Sequence, residues 1–124
     1  MIYLTRSALK YAANICEELP NYKVGIVIPE MAASKNLVDI IGMNMKDNNA
    51  DFRITNNQCV IVFSNGSCID VFSARENCRG KRVHLLIADR TINEELISAV
   101  FRPFEIYDYY RQFPETEREF KNGD

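Results

Sequence analysis

The chain has 124 residues, a length that suits one domain with one core. Hydrophobic residues make up 47% and charged residues 26%, and the formal net charge of −2 argues against a surface that binds nucleic acid or anionic membrane as a whole. No apolar run approaches the roughly 20 residues that span a bilayer, and "MIYLTRSALKYAAN" lacks a basic segment followed by an apolar core, so no secretion signal and no membrane partner are expected.

Apolar residues at Ala8, Leu9, Ala12, Ala13, Ile15, Cys16 and Leu19 predict a helix over Thr5 to Leu19, closed by Pro20. Thr5 is its candidate N-cap, with Ala8 where a full capping box would carry Glu. The run "KVGIVI", Lys23 to Ile28, is continuous, β-branched and bounded by Asn21 and Pro29, which predicts a strand buried on both faces of a parallel sheet. Met31 to Met45 returns to helical spacing through Leu37, Val38, Ile40, Ile41 and Met45, and "KDNNAD" breaks it with turn formers. "FRIT", "QCVIVF" and "CIDVF" follow, the last two joined by Ser64-Asn65-Gly66-Ser67 in a predicted hairpin. The match of "NGS" to a glycosylation sequon is taken as turn chemistry.

Ser73 to Arg82 is a polar, basic loop, and Val83 to Ala88 a second buried strand ending at Asp89. Ile92 to Phe101 is predicted helical, with Leu96, Ile97 and Val100 inward, Asn93 or Thr91 as cap and Pro103 at its end. The remainder is aromatic, then charged. Helix, strand, helix, hairpin, strand and helix make an α/β domain with a partly parallel central sheet, a β-hairpin and flanking helices over residues 1–113, with a frayed charged tail over 114–124.

"CVIVFSNGSCIDVFSARENCRGKRVHLLIADRTINEELISAVFRPF" resembles the ATPase domain of tailed-phage large terminase subunits. The matching pieces are Phe63, Asn65-Gly66-Ser67, Ile69, Arg79-Gly80, Leu85 to Asp89, Ile92 and Arg102-Pro103-Phe104. "RSALKYAANIC" is similar to the helix that follows that family's phosphate-binding loop, and "KVGIVIPEMAAS" to its second core strand and the helix after it, so the likeness covers roughly residues 5 to 105. It implies a truncated P-loop-NTPase-like fold in which Asp89 is the Walker B aspartate. The departures are large. A Walker A motif needs glycines so that backbone amides cradle phosphate, plus a Lys and a hydroxyl. "MIYLTR" stands in its place, and no strand is expected before it. Arg90 replaces the glutamate that would orient water, and these 124 residues contain no counterpart of the family's nuclease domain. Positioning and charge stabilisation carry phosphoryl transfer, so hydrolysis is not expected.

The resemblance therefore implies a non-catalytic phage or prophage protein in the host cytoplasm. It would bind a protein partner, either packaging machinery or a host defence factor such as a nuclease. The alternative is an ATPase component of a packaging complex whose partner supplies the phosphate loop. No cofactor is expected, and no metal site follows from four cysteines without a CxxC pair and one histidine. Cys16, Cys59, Cys68 and Cys78 are expected as reduced thiols. Asp89 is a Walker B relic or a cap at a strand-to-helix turn, and His84 a structural histidine. The binding candidates are Arg75, Arg79, Lys81 and Arg82 in the basic loop, Arg90, and Tyr107, Tyr109 and Tyr110 in the aromatic run. The loop at 75–82 is also the candidate contact for nucleic-acid phosphates, with a solvated loop as the plainer reading.

Overall fold

The computed structural model describes residues 1–55, 58–74 and 83–97. Among these residues six strands form one mixed sheet in the order β1-β6-β2-β5-β4-β3: β1 Ile2–Tyr3, β2 Lys23–Ile28, β3 Asp51–Ile54, β4 Cys59–Val62, β5 Cys68–Ser73 and β6 Leu85–Ala88. β1, β6, β2 and β5 run parallel, while β5, β4 and β3 form an antiparallel meander. The helices are α1 Arg6–Glu18, α2 Ser34–Met43 and α3 Glu94–Leu96. The fold is thus α/β with a partly parallel sheet, as the alternation of runs predicts.

β2 and β6 are buried on both faces, which is why both read as unbroken apolar runs. Alternation along each strand sends Val24, Ile26, Ile28, Leu85 and Ile87 to one face. There they meet Ala8, Leu9, Ala12, Ile15 and Cys16 of α1 and Val38 and Ile41 of α2. Val27, Leu86 and Ala88 point to the other face, where Met1, Phe72, Val83, Ile92 and Ile97 pack on them. The apolar positions expected to face the core from α1 are buried from Ala8 to Cys16, and Thr5 Oγ1 accepts from the Ala8 amide as the predicted cap.

Several boundaries move: the strand predicted over Val83 to Ala88 begins at Leu85, and the helix predicted to end at Met45 ends at Met43. A strand does precede α1: β1 pairs with β6 through Ile2↔Ile87 and Tyr3↔Ala88, contrary to the expectation that none would be present. Two residues are too few to show a periodic signal, and their stability comes from the buried strand beside them. Met31–Ala33 is a 3-10 turn, with the α-helix starting at Ser34. The last helix starts at Glu94 rather than Ile92, because Asn93 Oδ1 takes the Glu95 amide and leaves Ile92 in the preceding turn. The remainder of that predicted helix and the tail at 114–124 lie outside the described residues. Among the described residues no helix is long and apolar enough to cross a membrane.

The hairpin closes through Phe63 N–H to the Ser67 carbonyl, 2.8 Å, and Gly66 N–H to the Phe63 carbonyl, 3.1 Å. Gly66 takes φ +90°, the left-handed conformation that a bulged three-residue loop requires. Asn65 does not stand in open solvent. Its Nδ2 donates to the Cys16 carbonyl at 2.8 Å, to Leu19 at 3.2 Å and to Glu17 at 3.4 Å, satisfying the C-terminal end of α1. The sequon-like triplet is therefore an internal cap.

Candidate functional site

In open α/β sheets, ligands gather beyond the carboxyl ends of parallel strands. Here that end carries Leu4 and Thr5 after β1, Asp89 after β6, Pro29 after β2 and Ala74 after β5. The backbone ladder continues past the strands: Leu4 N–H meets the Ala88 carbonyl at 2.8 Å, Asp89 N–H the Val27 carbonyl at 3.0 Å and Ala74 N–H the Ile28 carbonyl at 2.9 Å. Asp89 is held between β1 and β2 and is half-buried.

Its carboxylate already has local work. Asp89 Oδ1 accepts from the Thr91 amide at 2.8 Å and from Thr91 Oγ1 at 2.7 Å, and its carbonyl accepts from Ile92 N–H at 3.2 Å. This is an Asx turn that carries the chain out of the sheet toward Asn93 and α3. Arg90 lies 5.0 Å from the centre of the Tyr3 ring, within cation–π range. The Tyr3 hydroxyl donates to Glu94 Oε1 at 3.0 Å. Exposed Arg90 and Glu94 and the half-buried ring of Tyr3 thus form one contact surface of a cation, a ring and a carboxylate.

The connection from β1 to α1 is Leu4 and Thr5 alone, and the Ala8 amide in the first turn of α1 meets the Thr5 hydroxyl. None of the chain's five glycines lies before α1. A two-residue link is too short to wrap a phosphate as a glycine-rich loop does, and its hydroxyl already caps the helix start.

The basic residues Arg75, Arg79, Lys81 and Arg82, and the aromatic residues Tyr107, Tyr109 and Tyr110, lie outside the described residues. Their flanks are described. Ala74 ends the β5 side at the carboxyl end of the sheet, and Val83 packs on the face opposite α1 and α2.

His84 Nδ1 accepts from the Lys23 amide at 2.9 Å, while His84 N–H donates to the Lys23 carbonyl at 2.8 Å. Its ring tilts against Tyr22, centroids 5.1 Å apart. Nδ1 must be unprotonated to accept, and burial, followed by the Lys23 charge, holds the imidazole below its ordinary value of 6.5. The unfolded chain therefore binds this proton more readily. His84 contributes stability that is complete above about pH 6.5 and declines as pH falls below it. The urea midpoint is expected to drop between pH 7.5 and 5.5. His84→Gln, which keeps an acceptor but does not titrate, flattens that drop; an equal drop in the variant would assign it elsewhere.

The three described thiols are poor nucleophiles, and Cys78 lies outside the described residues. Burial raises Cys16 far above its ordinary range, with Cys68 and Glu17 adding to it, and burial also raises Cys59 and Cys68. These three cysteines are unpaired in disulfides. No group of His, Cys, Asp and Glu among the described residues could hold a metal ion.

A second polar cluster, which the sequence did not single out, sits at the opposite end of the sheet. A cavity of about 300 Å³ is lined by Glu17, Lys46, Asp47, Ser64 and Asn65. Glu17 Oε2 accepts from the Lys46 and Asp47 amides at 2.6 and 2.7 Å. Asp47 accepts from Ser64 N–H and Oγ and from the Asn49 amide, and these bonds lower its carboxyl below the usual range. Glu17 ties the α2–β3 loop to α1 and Asp47 ties it to the hairpin, both structural roles. Only the turn formers "KDNNAD" hinted at it.

Compared with family models, with curated proteins and with solved structures, the chain matches none.

Proposed function

We propose that this chain is a non-catalytic binding protein that engages a protein partner at the sheet end bearing Tyr3, Asp89, Arg90 and Glu94. The observation that carries this reading is the link between β1 and α1, two residues long and capped by its own Thr5 hydroxyl. A chain that hydrolysed ATP on this sheet would need a phosphate cradle there. The Asx turn supports the same reading, since it gives Asp89 Oδ1 a structural occupation. Arginine and tyrosine in contact on an exposed surface are favoured anchors of protein interfaces. With the resemblance to a terminase ATPase core, the partner is phage packaging machinery or a host defence factor such as a nuclease, met in the host cytoplasm.

The test has two arms. Purified chain with magnesium and ATP is expected to show hydrolysis no faster than buffer, unchanged in Asp89→Asn. Tagged chain recovered from phage-infected cells is expected to carry a protein partner that Arg90→Glu loses, with the folding of the variant checked by its thermal melt. Magnesium-dependent hydrolysis that Asp89→Asn abolishes would refute the reading. A captured complex that binds nucleotide only when both chains are present would favour the alternative, in which the partner supplies the phosphate loop.

A further inference from the structure

The meander ends in β3, whose residues Asp51, Phe52, Arg53 and Ile54 are all exposed. Edge strands in folded proteins are usually short, charged or covered, because an outer row of amides and carbonyls invites another strand. Here two large apolar residues stand on that edge: Phe52 is 42% and Ile54 44% exposed, and Met43, at the end of α2, is 77% exposed. Among the described residues no strand pairs with the outer side of β3.

The hydrogen-bond phase of the edge is fixed by its inner partner. Thr55 N–H donates to the Gln58 carbonyl at 2.8 Å, so Thr55 directs its backbone toward β4. Backbone direction alternates along an antiparallel pair. Arg53 and Asp51 therefore also direct theirs inward, and Phe52 and Ile54 direct theirs outward. The side chains alternate as well. Phe52 and Ile54 share the face of their partners Ile61 and Cys59, on the side of α1 and α2, whereas Asp51 and Arg53 lie on the opposite face. There Arg53 Nε meets Asp51 Oδ2 at 2.7 Å.

The geometry points to a second copy of this chain as the occupant of this edge, joined through antiparallel β3–β3 pairing about Phe52. In that register Phe52 faces Phe52 of the partner subunit, both with outward amides, so the pair exchanges two backbone hydrogen bonds. Asp51 then faces Arg53 of the partner subunit, and Arg53 faces Asp51 of the partner subunit. These fall on the non-hydrogen-bonded positions, where opposed side chains come closest. The sequence Asp-Phe-Arg is self-complementary about its centre, as an isologous interface requires. The dyad of such a pair is perpendicular to the sheet, so α1 and α2 of both copies lie on one side, with Gly42 of each α2 facing its own Phe52 ring. This assignment stands independently of the proposed function. It places the two sheet ends bearing Asp89 away from the join, because β1 and β6 are at the far side of the sheet from β3.

Sedimentation equilibrium of the full chain tests it. The mass is expected to rise with concentration from 14.3 kDa toward twice that value. Asp51→Arg alone or Arg53→Asp alone sets like charges opposite each other twice, and either is expected to weaken association by about tenfold or more. The double exchange, Asp51→Arg with Arg53→Asp, restores opposite charges and is expected to restore association to within about threefold. Phe52→Pro removes an outward amide without touching the β4 ladder and is expected to leave a monomer. Thermal melts establish that each variant folds, and amide exchange at Phe52 and Ile54 is expected to slow as concentration rises. A wild-type monomer at high concentration overturns the proposal, as does a dimer indifferent to these variants. A chain that dimerises only after removal of residues 98–124 also overturns it, by making that segment the occupant.

Discussion

Asn65→Ala is expected to lower stability by about 2–3 kcal/mol, and Asn65→Asp by about 1 kcal/mol more than Ala despite its nearly identical shape. Asn65 Nδ2 donates to three carbonyls at the end of α1, and Oδ1 accepts from Ser67 N–H at 3.0 Å. Truncation to alanine strips those carbonyls and the Ser67 amide of their partner. Aspartate keeps the acceptor for Ser67 but turns a second oxygen, with negative charge, toward the carbonyls of a helix C-terminus, where the helix dipole already disfavours an anion. Ser67 belongs to the same unit: fully buried, it accepts from the Tyr22 amide at 2.9 Å and donates to the Leu19 carbonyl. Ser67→Ala is thus non-additive with Asn65→Ala. Urea titration of wild type, the three single variants and the double variant Asn65→Ala with Ser67→Ala reads all of this. Equal midpoints for Asn65→Ala and Asn65→Asp would mean that the amide donor does not cap the helix.

That cap shows how far local pattern reaches. The triplet was legible as a turn because Asn and Gly serve turns for local reasons. Its second role joins residues 46 to 49 positions apart in the chain, and no local pattern records such a pairing. α1 and β2 were legible for the converse reason: their signal is the periodicity of their own side chains, and burial follows it residue by residue. β1 was missed because two residues carry no period. At the sheet end, the turn of Asp89 with Thr91 spans two residues and fits the preference of Asp for capping positions. The contact of Arg90 with Tyr3 joins the first strand to the last and follows only from β1 lying beside β6. That adjacency turned an isolated cation into part of a surface, and it depends on the strand that was not foreseen.

Gly25→Val is expected to destabilise the chain by about 3 kcal/mol, and Val83→Ala in the same background to recover a large part of that loss. Gly25 sits in the middle of β2, between Asp70 of β5 and Leu86 of β6 in register, on the face opposite α1 and α2. A Cβ there would lie 3.0 Å from Val83 Cγ1 and 3.3 Å from Phe72 Cε1. Both neighbours are buried, so the two further methyls of valine have no open space to enter. The missing side chain of Gly25 is therefore filled by Phe72 and Val83, which bracket the basic segment at 75–82. If that segment recognises a partner through Arg75, Arg79, Lys81 or Arg82, its two anchors are set over this one glycine. Gly25→Val should then weaken partner capture more than its loss of stability alone accounts for, and Val83→Ala should restore stability without restoring capture. Thermal melts of wild type, both single variants and the double variant give the coupling. A Gly25→Val protein as stable as wild type would show that Phe72 and Val83 can move aside, and that the ends of the basic segment are not fixed by this packing.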